Sequence, residues 1–399
     1  MKDTTATVVK ALKQAQQKQA ELLAKIERAT ARLEKRKRRL AVVETTLAEL
    51  ERQVAQPRNG VRADAGTRTP AQLIYNPGAG RDPQRNEQRL AHVVRALRDH
   101  GLEPQIGLKT SGKIARSLAK EAARAGLPVV VVAAGDGTIG DVASQLVGTS
   151  VALGIVPLGT FNNLARSLGV PLDIDGACAL IGMGTTRHID VGRMHASSSL
   201  HEEYFLECAG VGLAAIGAMA GQAVEKHRWN LLPRALQRFF RTRPGTMQIE
   251  LDGRQIAAET NIVMASNSPL VGSNLLAAPG AKMDDGLLDV TVYDRMGEKE
   301  LMAHFIAASN HKPHDIEVHR ARRVRIVTNA AMLAHSDMDV APERNVIEIE
   351  VMPAALSMIV GNGIALTMPV ESAPAAAPFA PAAPIEAGGN DVLPNVAHA

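Results

Sequence analysis

The central part of the chain alternates short apolar runs with amphipathic stretches. Val129–Val132 places four β-branched residues in succession, a pattern typical of a strand buried on both faces of a parallel sheet. Between such runs, apolar residues recur at helical spacing. The alternation predicts a doubly wound α/β domain over residues 71–186. Its predicted strands are Gln72–Tyr75, Ile106–Leu108, Val129–Val132 and Val151–Ile155.

From about Arg187 the pattern changes to short β-type runs separated by turns, which predicts a mostly antiparallel β-sandwich over residues 187–353. Two stretches within it have helical spacing, Ala223–Arg241 and Gly297–Asn310. Residues 354–368 are predicted to return to the first domain. The β-type runs are His188–Arg193, Glu203–Ala209, Thr246–Leu251, Asn261–Ser266, Leu287–Tyr293, Val324–Thr328 and Val346–Val351.

Both ends of the chain differ from this globular part. Within residues 1–55 an apolar residue recurs at every seventh position from Ile26 to Val54, which predicts an N-terminal coiled-coil helix that forms a homodimer. Residues 56–70 have the composition of a linker. Residues 369–399 are rich in Ala and Pro and predict a disordered tail. The heptad positions are Ile26, Leu33, Leu40, Leu47 and Val54.

Bulk properties limit the class of protein. The formal net charge of +4 gives no reason to expect a nucleic-acid partner. Two cysteines without metal-ligand spacing favour a reducing compartment. No apolar run approaches the roughly 20 residues of a membrane span, and the N-terminus lacks the apolar core of a signal peptide. We therefore expect a cytoplasmic protein.

Three polar, glycine-containing loops follow predicted strands. The loop Gly135–Thr138, Gly-Asp-Gly-Thr, comes directly after the buried run. Its glycines allow a ligand to approach the backbone, and the amides of the following helix would favour phosphate. Asp136 is placed to meet a metal or to orient a hydroxyl group. The other loops are Asn76–Gly80 and Gly159–Arg166, and all three lie where open α/β sheets bind ligands.

These loops, together with the turn Asp284–Val290 in the β-rich half, resemble the diacylglycerol kinase catalytic-domain family. That family includes bacterial soluble lipid kinases, sphingosine kinases and ceramide kinases. The resemblance covers about residues 71–365. It implies an ATP- and Mg²⁺-dependent kinase that phosphorylates a lipid hydroxyl, with diacylglycerol as the first expectation and phosphatidic acid as the product.

The resemblance also implies which residues hold ATP in a cleft between the domains. None of the loops contains a Walker lysine, so the phosphates would be held by backbone amides, hydroxyl groups and magnesium. The implied nucleotide contacts are Asn76, Pro77, Gly78, Ala79, Gly80, Thr110, Gly135, Asp136, Gly137, Thr138 and Thr160.

Carboxylates supply the remaining implied chemistry. Asp136 and Asp190 match the acidic network that links the domains in the family. Asp337 and Asp339 stand where the family has Asp-Gly-Glu, and one of them would take the proton of the lipid hydroxyl. A structural magnesium would be bound by Asp285 with the backbone carbonyls of Lys282 and Leu287.

The loop Gly159–Arg166 departs from the family pattern. The implied lipid-substrate contacts are Asn162, Asn163 and Arg166, but Asn163 replaces the acid of the usual Asn-Asp-Phe. Ala134 likewise stands where the family often has Gly. The loss of the carboxylate at residue 163 leaves the acceptor open.

Contact with the inner face of the membrane would come from Lys226–Arg241, which holds the single tryptophan, two phenylalanines and several cations. The alternative is a helix that packs Trp229 on the sandwich. Three other functions remain open: a sphingoid-base or ceramide kinase, a soluble kinase similar to NAD kinase, and a non-catalytic membrane-surface scaffold. A screen of acceptors would distinguish them.

Overall fold

The computed structural model describes the globular part of the chain and five isolated helical positions, residues 18, 21, 27, 30 and 34, near the N-terminus. Most of the predicted coiled coil, most of the linker, the stretch Lys226–Arg241 and the predicted tail lie outside the described residues, so those predictions stay untested. The described ranges are 68–79, 86–195, 203–215, 245–260, 262–294, 296, 298–312, 317–337 and 339–361.

The first half forms the predicted parallel sheet. Strand β1 pairs with β2 on one side and β3 on the other, and β3 pairs with β4, all in parallel. Leu73 lies opposite Val131, and both side chains are fully buried because helices cover the sheet. The strands are β1 (Thr69–Tyr75), β2 (Leu102–Leu108), β3 (Val129–Ala134) and β4 (Ala152–Pro157).

Five helices follow these strands. In α1 the residues at helical spacing, Leu90, Val93, Val94 and Leu97, are all buried as the pattern predicts. Helix α1 packs with α5, and α2 packs with α3. The helices are α1 (Asn86–Asp99), α2 (Gly112–Arg124), α3 (Asp136–Leu146), α4 (Asn163–Ser167) and α5 (Ile174–Met183).

The second half is antiparallel and has its own core. Strand β15 changes partner along its length, pairing with β8 through Val324–Thr328 and with β7 through Ala334–Ser336. This change divides the strands between two layers, as in a sandwich. The elements are β5 (Thr186–His195), β6 (Glu203–Phe205), β7 (Cys208–Gly212), β8 (Gly245–Leu251), β9 (Arg254–Thr260), β10 (Ile262–Ser266), β11 (Leu270–Val271), β12 (Leu275–Leu276), β13 (Leu288–Val292), α6 (Glu298–Ser309), β14 (Val318–Ala321), β15 (Arg323–Ser336) and β16 (Asp339–Ile359).

Two strands connect the halves. Strands β5 and β16 pair antiparallel along most of their length, and Met358 of β16 also lies beside Leu153 of β4. The β5–β16 register shifts between Met352 and Leu356, where Ala354 has a positive φ of 51°. Beyond this bulge, Leu356 and Met358 are buried in the core of the α/β half, so the end of β16 belongs to that core.

The sequence pattern was wrong in one consequential place. The single strand expected over Glu203–Ala209 is broken into β6 and β7 by a bend at Leu206 and Glu207. Strands β9 and β14 were missed because their sequences alternate weakly. None of the helices that the structure describes is both long and apolar enough to cross a bilayer.

Candidate active site

The loops after β3 and β4 touch each other. Helix α3 begins at Asp136, and its N-cap Gly135 has no side chain to accept from the first-turn amides. A Cβ on Gly159 would lie 2.6 Å from the Gly135 Cα, so only glycine allows this approach. Asn162, with a φ of 54°, closes its loop by accepting a hydrogen bond from the Gly159 amide at 2.8 Å. The result is a pair of backbone turns at the carboxyl edge of the sheet.

Asp136 ties the second loop to the first. Its Oδ2 accepts from the amide of Asn163 at 3.2 Å, and its Oδ1 accepts from the amide of Leu164 at 3.3 Å. These amides open α4, whose first donors need acceptors from outside the helix. Asp136 belongs to the loop Gly135–Thr138, called the phosphate loop below. It therefore also positions the loop Gly159–Arg166, called the acceptor loop.

A lysine that sequence analysis overlooked lies at the same edge. Lys109, the residue after β2, donates from Nζ to Thr138 Oγ1 at 2.6 Å, and its Nζ lies 3.9 Å from Asp141 Oδ2. Its side chain is mostly buried, with 17% exposed. The only signal in the sequence was its position beside Thr110. None of the three loops contains a Walker lysine. Lys109, directly after β2, instead places its ammonium group at Thr138 of the Gly135–Thr138 loop.

The loop after β1 completes the edge. The Asn76 amide donates to the Ala133 carbonyl at 3.0 Å, which fixes the loop beside the end of β3. Asn76 Oδ1 accepts from the Gly78 amide at 3.0 Å, and the Ala79 amide donates to the Asn76 carbonyl at 3.0 Å. Gly80 lies outside the described residues.

The exposed positions of the predicted site face solvent at the same sheet edge. Thr110 and Thr160 are both exposed. Arg166 is also exposed, and its Nε donates to the Phe161 carbonyl at 3.1 Å.

Asp337 lies in the two-residue turn between β15 and β16, where its φ of 47° suits a tight hairpin. Its carboxylate accepts from three backbone amides, those of Leu206 at 3.0 Å, Glu207 at 2.8 Å and Cys208 at 3.1 Å. Burial raises the pKa of Asp337, these amide bonds lower it, and the charge of Asp136 raises it further. Asp337 is thus bound to its own domain and electrostatically linked to the phosphate loop.

Asp337 and Asp339 both approach helix α3. A Cβ on Gly140 of this helix would lie 3.7 Å from Asp337 Oδ2. Asp339 opens β16 and is exposed. Burial is the main cause of the raised pKa of Asp141 in α3, and the charge of Asp339 raises that pKa further. Asp337 therefore lies beside the helix that starts at the Gly-Asp-Gly-Thr loop, and the charge of Asp339 acts on the same helix.

A third carboxyl, Glu207, was missed by sequence analysis. It is buried, with 3% exposed, and burial, Asp136 and Asp337 all raise its pKa well above the ordinary value. Its Oε2 accepts from Asn163 Nδ2 at 3.1 Å. The pattern failed here because Glu207 stood inside a run that was expected to be one continuous strand.

Asp190 and Asp285 form a separate group. Asp190 Oδ2 accepts from the Gly286 amide at 2.6 Å, and Oδ1 accepts from the Ala354 amide at 2.8 Å. Burial raises the pKa of Asp190, and the nearby charges of Asp285 and Asp284 raise it further. Asp190 thus fastens the Asp284–Gly286 turn to the bulge of β16 and does not contact the phosphate loops.

The predicted structural-metal position holds an arginine. The guanidinium of Arg320 pairs with Asp285 Oδ2, and its Nε lies 3.8 Å from Asp289 Oδ1. Asp285 Oδ1 accepts from the Leu287 amide at 3.2 Å. Burial raises the pKa of Asp289 to about 6, while Arg320 acts to lower it. In the structure Arg320 therefore neutralises Asp285, and the magnesium position at Lys282, Asp285 and Leu287 stays a prediction.

Comparisons with known proteins identify the two domains. The family model of the diacylglycerol kinase catalytic domain matches residues 70–194, and that of the YegS C-terminal NAD kinase beta sandwich-like domain matches residues 210–360. A diacylglycerol kinase of Bacillus subtilis is 30% identical over 249 residues, which are 59% of this chain and 76% of the relative. One of Mycobacterium tuberculosis is 29% identical over 258 residues, 61% of this chain and 81% of the relative.

A crystal structure of a diacylglycerol kinase from Bacillus anthracis has the same fold, with a TM-score of 0.59 and 22% identity, over 73% of this chain and 97% of the other. An α/β catalytic domain followed by a C-terminal β-sandwich defines the class of protein. The chain belongs to the diacylglycerol kinase catalytic-domain family. It is a lipid kinase, and membership of the family implies ATP as the phosphoryl donor.

Proposed function

We propose that this lipid kinase transfers the γ-phosphate of ATP to the free hydroxyl of diacylglycerol, giving phosphatidic acid. The observation that carries the proposal is the approach of Asp337 and Asp339 to α3, the helix that begins at the Gly-Asp-Gly-Thr loop. Phosphoryl transfer needs a held triphosphate and a base for the incoming hydroxyl group. The structure has a candidate for each on facing elements.

The phosphate side of this site uses the backbone turns at Gly135 and Gly159 together with Lys109. Thr110 and Thr160, both exposed, would donate hydrogen bonds from their hydroxyl groups to the nucleotide. Charge neutralisation is the main catalytic requirement of phosphoryl transfer, and an ammonium group at Thr138 meets part of it.

For the proton acceptor we favour Asp339 over Asp337. The Asp337 carboxylate is already occupied by three amides, which anchor the bend at Leu206 and Glu207. Asp339 is exposed, so it can meet a hydroxyl group that arrives from outside. The base would remove the hydroxyl proton as the oxygen attacks the γ-phosphorus and the bond to ADP breaks.

Magnesium would enter as the complex with ATP. Within the described ranges no three His, Cys, Asp or Glu side chains are arranged to hold a metal ion. Mg²⁺ in kinases usually takes one or two protein carboxylates and completes its shell with substrate phosphates and water. Asp136 is the carboxylate at the phosphate loop and would supply that ligand. When bound, the ion would neutralise phosphate charge.

The experiment that tests the function presents one acceptor at a time in mixed micelles with ATP and MgCl₂. The acceptors are diacylglycerol, a sphingoid base, ceramide and, in solution, NAD, with the products identified by mass spectrometry. We expect phosphatidic acid as the main product. Phosphorylation of NAD alone would support the NAD-kinase alternative, and turnover of none would support the scaffold.

Lys109→Ala should raise the KM for ATP about tenfold or more, because a charge-assisted hydrogen bond contributes about 1.5–3 kcal/mol. The KM of Lys109→Arg for ATP should lie between those of the wild type and Lys109→Ala. The matched control is Lys113→Ala, an exposed lysine in the first turn of the neighbouring α2. Steady-state kinetics at saturating lipid measure the effect, and an unchanged KM would exclude Lys109 from the phosphate site.

Removal of metal should not lower the melting temperature of the wild-type chain, because Arg320 already neutralises Asp285 and Asp289. Arg320→Ala leaves these carboxylates without their cation, so its melting temperature should be lower and partly restored by MgCl₂. Differential scanning fluorimetry with EDTA or MgCl₂ measures this, with the exposed Arg322→Ala as control. A wild-type melting temperature that falls in EDTA would instead indicate a bound structural metal.

Two further parts of the proposal concern partners. Lys226–Arg241 would bring the site to anionic membrane at the inner face, and the heptads of residues 1–55 would join two chains. Vesicle flotation and light scattering, respectively, test them.

A further inference from the structure

Glu207 makes a closed network from three separate segments of the chain. Its Oε2 accepts from Asn163 Nδ2 at 3.1 Å and from the Gly272 amide at 2.9 Å. The same Nδ2 also donates to the Gly272 carbonyl at 2.8 Å. Asn163 opens α4 in the nucleotide half, whereas Glu207 and Gly272 belong to the β half. The carboxyl therefore joins the two halves through buried hydrogen bonds.

The backbone of Glu207 extends this network to the late acids. Its amide donates to Asp337 Oδ1 at 2.8 Å. On the other side, the Asn163 amide donates to Asp136 Oδ2 at 3.2 Å. A continuous path thus runs from Asp136 through Asn163 and Glu207 to Asp337, from the phosphate loop to the turn that precedes the proposed base Asp339.

Burial of an ionised carboxyl group at residue 207 is energetically unfavourable. The titratable groups that face it are Asp136 at the start of α3, Asp337 at the end of β15 and the adjacent Cys208. The two aspartates carry the same charge as Glu207 when ionised, and burial removes the solvent that would screen them. An amide oxygen at residue 207 could accept the same two hydrogen bonds without this repulsion, so the contacts of Glu207 and its acidity can be separated by substitution.

We propose that Glu207 is a positioning residue of the phosphoryl-transfer site, which holds the Gly159–Arg166 loop against the β half. The inference rests on the proposed function. Asn163 and Glu207 act as one amide–carboxyl pair. The amide and the carboxyl group can be exchanged between the two positions, but the site does not accept an ionised carboxyl group at both.

A double-mutant cycle tests the pair. Asn163→Asp places two carboxyl groups in direct contact, so the melting temperature should fall and kcat/KM should drop about a hundredfold or more. Adding Glu207→Gln to this variant should recover at least about tenfold, because the new Nε2 can donate to the new carboxylate. Melting temperatures and the affinity for a fluorescent ATP analogue are measured for the wild type, the two single variants and the double variant.

The single variant Glu207→Gln separates positioning from simple support of the fold. Its amide oxygen keeps both acceptor bonds, so the melting temperature should stay near that of the wild type. Because this amide still holds the Asn163 side chain, kcat/KM should fall less in Glu207→Gln than in Asn163→Asp. The exposed Asp99→Asn at the end of α1 controls for net charge.

Strictly additive effects of the two substitutions, or a larger loss of kcat/KM in Glu207→Gln than in Asn163→Asp, would overturn the proposal. The melting and ATP-analogue measurements need no acceptor. If the wild type phosphorylates none of the lipids, the proposed function fails, and the cycle in melting temperature and ATP affinity still decides whether Asn163 and Glu207 act as a pair.

Discussion

Asp339→Asn should reduce kcat by about 10²–10⁴-fold, the usual contribution of a positioned general base. Asparagine keeps the size of the side chain but cannot take up the hydroxyl proton. Since Asp339 is exposed, the melting temperature and the affinity for an ATP analogue should stay unchanged. Single-turnover transfer from labelled ATP, beside a melting curve of the same sample, measures both.

Asp337→Asn provides the matched comparison. Asparagine tolerates the positive φ of residue 337, so the turn itself is not strained. The substitution places an NH₂ group among three amide donors, so at least one bond is lost and the melting temperature should fall. If Asp337→Asn instead removes activity at full stability while Asp339→Asn remains active, the two roles are reversed.

Among the glycine substitutions, Gly159→Ala should have the largest effect on the two loops that contain Gly135 and Gly159. The added Cβ would lie 2.6 Å from the Gly135 Cα and 2.8 Å from Asn162 Oδ1. The first neighbour is backbone and cannot rotate away, so the two loops must separate. Overpacking of this kind costs about 1–3 kcal/mol, and separation should also abolish measurable binding of ATP. Chemical denaturation and titration with an ATP analogue give the two quantities.

Gly280→Ala is the control for Gly159→Ala, because a Cβ at this exposed glycine meets no atom within 4 Å. Gly137→Ala is a useful contrast, since its Cβ also enters open space but at the phosphate loop. It should leave stability unchanged and weaken ATP binding. Normal stability and ATP affinity in Gly159→Ala would contradict the close packing of the two loops.

Sequence analysis succeeded where one local pattern decides the structure. Four β-branched residues at Val129–Val132 were sufficient to predict β3, and the spacing from Leu90 to Leu97 was sufficient to predict the buried face of α1. The glycine loops were found because parallel strands place their carboxyl ends at one edge. In these cases local sequence and tertiary packing require the same conformation.

It failed where a contact between distant segments decides. Glu207 is bent out of a strand by amide bonds to Asp337, which lies 130 residues later in the chain. Lys109 reaches the phosphate loop only because β2 and β3 flank β1. The cation at Asp285 comes from Arg320, on a strand that the pattern missed. No periodicity within a short window contains such information.

The bulge at Ala354 also determines how the two halves can move. The β5–β16 pair runs from one half into the other, and β16 also pairs with β15 in the second half and with β4 in the first. Its ladder is interrupted at residues 353–355, so any rocking of one lobe on the other concentrates at this pivot. The Asp190 carboxylate grips the pivot through the Ala354 amide and holds the Gly286 turn with its other oxygen. Asp190, a buried acid remote from the proposed chemistry, thus fastens the pivot to the Gly286 turn, in addition to the link that Glu207 and Asn163 make between the halves.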